Sequence, residues 1–397
     1  MGRHFRYGLL GLALLAAGCA EAPRPPVAPS AGPERLSLIP AAFEDLPGWR
    51  DDAAASVLPA LLKSCDRFAK LPFDRSIGAE GWGGVAADWN GPCGAARRLP
   101  AGDHEAARAY FRQWFQPYLA TNNGVAEGTF TGYYEPELAG SRQRQGRFTV
   151  PLLARPKDLV IADLGQLRPD LGRDQLAGRV VDGRLEPYPT RAEIEAGRLG
   201  TLAQPLLWLN DPVDAHILHI QGSGRIRFDD GTVQRIGVAA SNGHKFVGLG
   251  KLLADAGKVE AGSTMPSIRA WLKAHPAEAQ PLMAANPRYI FYRLVEGDGP
   301  VGSQGVALTP ERSLAVDPKF VPLGVPLWLD TTAPSGQVLR RLVVAQDTGA
   351  AIKGPVRGDY FWGAGEPAFE QAGRMKSTGR YWLLLPKERS PRLAEYR

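Results

Sequence analysis

The chain has 397 residues, 47 Lys and Arg against 41 Asp and Glu, and a formal net charge of +6. The excess is modest and the arginines are scattered, with no basic cluster interleaved with aromatics, so a nucleic-acid surface is excluded; a mild positive balance suits an anionic polymer outside the cytoplasm. With 46 Gly and 34 Pro, turn punctuation is dense, which fits many short strands better than a helical bundle.

At the N-terminus, Arg3, His4 and Arg6 precede the apolar stretch Leu9 to Ala17, and the small residues Ala16, Ala17 and Gly18 lead to Cys19. Residues 1–19 read as a targeting segment, too short to span a bilayer permanently. Leu15-Ala-Ala-Gly-Cys19 resembles the lipobox of bacterial lipoproteins, which implies lipidation at Cys19; Ala20 behind it implies sorting to the outer membrane. Cleavage after Ala20, giving a soluble periplasmic protein, is the alternative. Residues 20–39, Pro- and Ala-rich as far as Pro33, cannot build a core and read as a tether. About 360 residues remain, enough for two domains.

Val57, Leu58, Leu61, Leu62, Cys65, Phe68 and Ala69 form one helical stripe. A second amphipathic helix follows Asp103 as N-cap, with Ala107, Tyr110, Phe111, Trp114 and Phe115 inward. Cys65 and Cys93 are the cysteines left after the targeting segment. In an exported chain they predict a disulfide, with a loop-closure contribution of roughly 3–4 kcal/mol, two buried free thiols being the alternative. No His/Cys pair has zinc-ligand spacing. No metal or nucleotide motif is present, so the sequence predicts no cofactor and activity that survives EDTA.

From Gly128 the texture changes. Thr129-Phe-Thr-Gly-Tyr-Tyr-Glu-Pro136 alternates and is rich in β-formers. Short strands separated by Gly and Pro then run to Gly237, including a predicted strand His216-Ile-Leu-His-Ile-Gln221 before Gly222-Ser223-Gly224. The clearest hairpin joins Arg225–Phe228 to Thr232–Ile236 through Asp229-Asp230-Gly231. Helices are expected at Phe246 to Ala256 and Ser267 to Lys273, and Arg288-Tyr-Ile-Phe-Tyr-Arg-Leu294 opens a last β-rich stretch. This order, helical, β, helical, β, predicts that residues 136–237 are inserted into a parent domain made from 40–135 and 238–397, with a cleft between the two.

The final stretch carries Asp317, Asp347 and Asp359. A lone Asp beside Gly or Pro reads first as a turn or capping residue. Three in one small β domain, two of them twelve residues apart, point to chemistry, with Asp317 the most readily structural.

Phe130-Thr-Gly-Tyr-Tyr-Glu-Pro136, His219-Ile-Gln-Gly-Ser-Gly224, Ser241-Asn-Gly-His-Lys245, Asp347-Thr-Gly-Ala-Ala-Ile-Lys-Gly354 and Asp359-Tyr-Phe-Trp-Gly363 resemble, in order, the MltA family of membrane-bound lytic murein transglycosylases, over residues 40–388. The last part resembles the 3D domain, whose three aspartates match Asp317, Asp347 and Asp359; Gly349-Ala350 stands where the family usually has two glycines. The resemblance implies a mainly β fold with flanking helices: a double-psi β-barrel at about 288–388, a second β-barrel-like domain inserted, and a groove between them. It also implies Asp359 as the single catalytic acid, Asp347 as a supporting carboxylate, exo-acting release of disaccharide-peptide units from peptidoglycan glycan strands, and murein synthesis proteins as partners of a monomer.

For such chemistry Asp359 must be protonated, yet at its ordinary pKa about one Asp in a thousand is protonated at pH 7, a penalty of roughly 4 kcal/mol. Burial against Tyr360, Phe361 or Trp362 would reduce it, and an ion pair with Lys353 or Arg357 would oppose it, so neither pairing is expected. Tyr133, Tyr134 and Trp362 are candidate sugar platforms, although Trp and Tyr at strand positions are more often core. Gln221 and Ser223 are candidates to hydrogen-bond the saccharide or their own turn, and Thr129 and Thr131 to orient the acid or bind sugar. Glu135 before Pro136 suggests an edge position, and His244 a structural contact. Two other readings stay open: a hydrolase pairing Asp359 with Asp347 or Glu135, and a peptidoglycan-binding scaffold.

Overall fold

A computed structural model describes Gly2 and residues 33–171, 175–297 and 299–387. The targeting segment, Cys19 and most of the tether lie outside the described residues. Among the described residues, seventeen strands occur in chain order: β1 (Leu36–Pro40), β2 (Phe115–Asn122), β3 (Gly128–Glu135), β4 (Glu137–Ser141), β5 (Val150–Leu153), β6 (Val160–Asp163), β7 (Gln175–Val181), β8 (Arg184–Pro187), β9 (Pro205–Leu209), β10 (Gly224–Arg227), β11 (Val233–Ser241), β12 (Ile290–Val295), β13 (Ser313–Val316), β14 (Pro326–Thr332), β15 (Val338–Asp347), β16 (Arg357–Ala364) and β17 (Lys376–Pro386).

The first sheet has the order β1-β2-β17-β14-β15-β13-β16-β3, and β3 also pairs with β17. The last six strands therefore close on themselves, and closure leaves no free edge inside the ring. Its interior is dense with Leu314, Val316, Val325, Leu327, Val343 and Tyr381, all buried. The N-terminal helices Leu58–Phe68 and His104–Trp114 pack on the same cluster. Asp103 caps the second, its carboxylate accepting from the Ala106 N–H at 2.8 Å. Cys65 and Cys93 are joined by a disulfide. A buried bidentate pair, Arg312 to Asp52 at 2.9 and 3.0 Å, ties the N-terminal segment to the barrel.

The second sheet runs β12-β11-β10-β4-β9-β5, and a bridge from Ala154 to Tyr292 brings its two ends toward each other. β10 and β11 form the anticipated hairpin, with Arg225 opposite Arg235. β12, which by sequence opens the last β-rich stretch, pairs with β11 in this sheet. A three-stranded sheet, β6-β7-β8, completes the set.

One sequence expectation is overturned here: His216 to Gln221 is not a strand but the end of the helix Pro212–Gln221. Asp211 caps it by accepting from the Val213 and Asp214 N–H groups, Pro212 takes the first turn, and Gly222 at φ +82° terminates it. His216, Ile217, Leu218 and His219 are all buried, so no polar face marked the 3.6-residue period, and alternating His and Ile imitated a strand. Helices Leu249–Asp255 and Met265–Ala274 lie near their expected places, and Pro276–Ala284 was not anticipated.

Candidate active site

The site is built by register. β16 pairs antiparallel with β13 and parallel with β3, setting Asp359 opposite Ala315 on one side and Thr131 on the other. β13 pairs parallel with β15, setting the same Ala315 opposite Asp347. Asp347, Ala315, Asp359 and Thr131 thus form one transverse row across four strands. The two acids are two strand spacings apart, roughly 9–10 Å between backbones, and the residue between them is the small Ala315. The next row places Phe361 opposite Tyr133, their rings 5.1 Å apart.

Asp359 is partly buried. Its Oδ1 accepts from the Thr131 hydroxyl at 2.6 Å, and that hydroxyl accepts from Arg357 Nη2 at 2.8 Å. Burial pushes the Asp359 carboxyl up to about 6, against the lowering pull of the Thr131 hydrogen bond and the Arg357 charge; the negative charge of Asp347 adds to the rise. Lys353 is exposed, and among the described residues neither cation makes a direct ion pair with Asp359. Of the neighbouring aromatics, Phe361 shares the Asp359 face by alternation. Tyr360 turns inward, its hydroxyl donating to the Glu311 carbonyl at 2.9 Å.

Asp347 ends β15. Its Oδ1 accepts from the Ser303 N–H, the Ser303 hydroxyl and the Thr348 N–H, each at 2.9 Å. Burial raises its carboxyl, and those bonds hold the rise back. The Tyr133 hydroxyl is sealed from solvent beside it without full hydrogen-bond geometry, and burial with the two nearby carboxylates pushes that phenol well above its ordinary range. Behind Asp347, Gln346 donates to the Ala60 carbonyl at 2.8 Å and to the Ser64 hydroxyl at 2.9 Å, while Ser64 donates to Gln304 at 2.8 Å. The disulfide-linked helix therefore backs the segment carrying Asp347 and the loop carrying Ser303. Asp317 is buried and accepts from the Lys319 N–H at 3.1 Å and the Gly354 N–H at 2.9 Å, closing the 347–354 loop as a structural acid. Ala350 stays out of the left-handed region, so its methyl is tolerated.

The other nominated residues separate. Thr129 is exposed, and its carbonyl accepts from Arg357 at 3.1 Å. Gln221 accepts from the Tyr134 N–H at 3.3 Å, which brings the helix end against β3 three residues, roughly 10 Å, from Thr131; Ser223 follows, partly exposed. Tyr134 is buried in a core cluster with its ring 5.3 Å from Phe369, which withdraws it from the sugar platforms. Trp362 is partly buried, and its N–H donates to Met375 Sδ at 3.3 Å. Glu135 is buried beside Arg225 at 2.7 Å and Arg235 at 3.6 Å, an arrangement that leaves it no role as a base. His244 Nε2 bonds the Tyr188 carbonyl at 2.6 Å. Among the described residues, no group of three or more His, Cys, Asp or Glu is placed to hold a metal.

Comparison with known proteins gives this arrangement a family. Residues 129–293 match the MltA specific insert domain and residues 312–385 the 3D domain. The chain is 33% identical over 293 residues to membrane-bound lytic murein transglycosylase A of Escherichia coli K12, covering 71% of this chain and 72% of that protein. The chain belongs to the MltA family. Its fold matches the crystal structure of a membrane-bound lytic murein transglycosylase from Agrobacterium tumefaciens, with TM-score 0.78, 33% identity and coverage of 90% and 98% of the two chains. It also matches E. coli MltA with bound chitohexaose, with TM-score 0.64, 25% identity and coverage of 90% and 95%.

Within this MltA-family chain, two members of the site had no functional signal in sequence. Ser303 lies in a Gly-Ser-Gln-Gly loop 44 residues before Asp347, and nothing local marks it. Arg357 entered the sequence reading only as a threat to the acid, because its route through Thr131 depends on strand pairing.

Proposed function

We propose that this chain is a periplasmic lytic transglycosylase that cleaves the β-1,4 bond between N-acetylmuramic acid and N-acetylglucosamine in peptidoglycan, with Asp359 acting as acid and then as base. In the first step the Asp359 proton passes to the glycosidic oxygen while the C1–O bond breaks, its electron pair leaving with that oxygen. In the second the muramic C6 hydroxyl oxygen bonds to C1, and its proton returns to the Asp359 carboxylate. The product is a 1,6-anhydro end; no water is consumed and the enzyme is restored. Asp347 supports the site electrostatically, holding the Asp359 proton affinity up. Thr129, Tyr133, Gln221, Ser223 and Trp362 are the candidate saccharide contacts.

The observation that carries this reading is the partly buried Asp359 carboxyl, pushed up to about 6 without an ion pair. At pH 7 about one molecule in ten is then protonated, so the penalty for an acid catalyst falls from roughly 4 to roughly 1.4 kcal/mol. The closed six-stranded ring supports its description as a double-psi β-barrel; the relatives' description as membrane-bound supports attachment to a membrane, for which the lipobox-like Cys19 and the Ala20 behind it make an outer-membrane lipoprotein the reading.

Mass spectrometry of muropeptides released from purified sacculi is the decisive measurement. The wild type is expected to yield 1,6-anhydromuramic ends, one water lighter than hydrolysed ends, with EDTA present. Release of reducing ends alone would eliminate the transglycosylase in favour of a hydrolase. Asp359→Asn is expected to abolish release while still binding glycan; release at the wild-type rate would remove Asp359 as the acid, and glycan binding with no release even by the wild type would leave a binding scaffold.

A further inference from the structure

We propose that Arg357 and Thr131 form a one-way hydrogen-bond relay that confines the Asp359 proton to Oδ2, so that a single oxygen gives and later retrieves the proton. The inference rests on Asp359 being the acid and base, and concerns which of its oxygens reacts and what fixes that choice.

The direction of the relay follows from donor inventory. A guanidinium has no acceptor, so the 2.8 Å contact between Arg357 Nη2 and Thr131 Oγ1 can only be donation by Arg357. A threonine hydroxyl carries one hydrogen. With Oγ1 already accepting from Arg357, that hydrogen goes to its other close partner, Asp359 Oδ1, at 2.6 Å. Oδ1 is therefore an acceptor in both charge states of the acid. A proton on Oδ1 would oppose the hydroxyl hydrogen across the same short contact, so the neutral acid carries its proton on Oδ2. That oxygen has no hydrogen-bond partner among the described residues and is not among the atoms sealed from solvent.

The relay is itself anchored. Arg357 also donates to the Thr129 carbonyl at 3.1 Å and to the Gly358 carbonyl, so three acceptors along two paired strands fix its plane. The β3–β16 register, with Thr129 opposite Arg357 and Thr131 opposite Asp359, aligns the parts without any contribution from a loop. Thr131 and Arg357 are thus positioning residues acting through Asp359. The arrangement serves both half-reactions: Oδ1 stays held while Oδ2 delivers its proton to the glycosidic oxygen and then takes one from the C6 hydroxyl, with no carboxyl rotation between them.

The test is a pH profile of kcat and kcat/KM on solubilised glycan strands for Thr131→Val, Thr131→Ser, Arg357→Met, the Thr131→Val/Arg357→Met double variant and Asp359→Asn. Loss of the hydroxyl removes a donor to the carboxylate and disfavours the charged form. The alkaline limb of Thr131→Val should therefore move upward by roughly one to two pH units, with kcat falling about ten-fold and KM little changed. Thr131→Ser, which keeps the hydroxyl, should restore limb and rate. Arg357→Met should lower kcat comparably, and the double variant should be no slower than the worse single, because without the hydroxyl there is nothing for Arg357 to direct.

An unmoved limb in Thr131→Val, failure of folded Thr131→Ser to restore it, or losses that multiply to about a hundred-fold in the double variant would overturn the relay. Asp359→Asn separates the two ideas. If it is inactive while Thr131→Val behaves as wild type, the relay alone falls; if it remains active, the assignment of Asp359 itself falls.

Discussion

The Asp359 side chain has opposite effects on folding and on catalysis. Its carboxyl is raised by burial from 3.8 to about 6 in the folded chain, so the folded state binds the proton more tightly than the unfolded state. The associated stability is fully present below the unfolded pKa and is lost as pH rises from about 4 through about 6. Above that the folded protein carries a penalty of about 3 kcal/mol at most. Asp359→Asn, neutral throughout, should therefore melt higher than wild type at pH 7 to 8, with the difference vanishing near pH 4, as followed by calorimetry. The same titration should make kcat/KM of the wild type fall as pH rises through about 6, because the acid form is the one that reacts. Asp317 has a structural place instead: both of its oxygens accept backbone N–H groups that close a loop.

At the level of elements, the seam between β3 and β16 decides whether a site exists, because it alone brings Thr131 to Asp359. Two glycines permit that close approach. A Cβ on Gly128 would sit 1.7 Å from the Val356 carbonyl oxygen, and one on Gly132 would sit 2.6 Å from Trp362 Nε1. Gly128→Ala collides with backbone that cannot rotate away, so it should cost roughly 3 kcal/mol or more in denaturant melts and abolish turnover. The hairpin of β10 and β11 and the capped helix after Asp103 were legible because turn chemistry and one-sided periodicity agreed. The helix Pro212–Gln221 was not, because burial on every side removed the polar face that would have shown its period.

Across the whole molecule, the N-terminal helices act as a buttress for the acids. The Cys65–Cys93 disulfide closes a 28-residue separation, and Ser64, beside it, bonds Gln304 and Gln346 behind the Asp347 segment. Replacing both cysteines by alanine should lower stability by about 3–4 kcal/mol, measured by urea unfolding with and without reductant. Among the described residues, no helix is long and apolar enough to cross a membrane.

By itself the sequence determined the class of the fold, the hairpin, the Asp103 helix cap and the three acids, because each is written in local periodicity, turn residues or a contiguous motif. Pairing of β13 with both β15 and β16 decided what sequence could not: that Asp347 and Asp359 share one row across Ala315, that Ser303 supports the first, and that Arg357 reaches the second through Thr131. Those contacts join residues 44 to 228 positions apart, and no local signal encodes a distance that only chain closure sets.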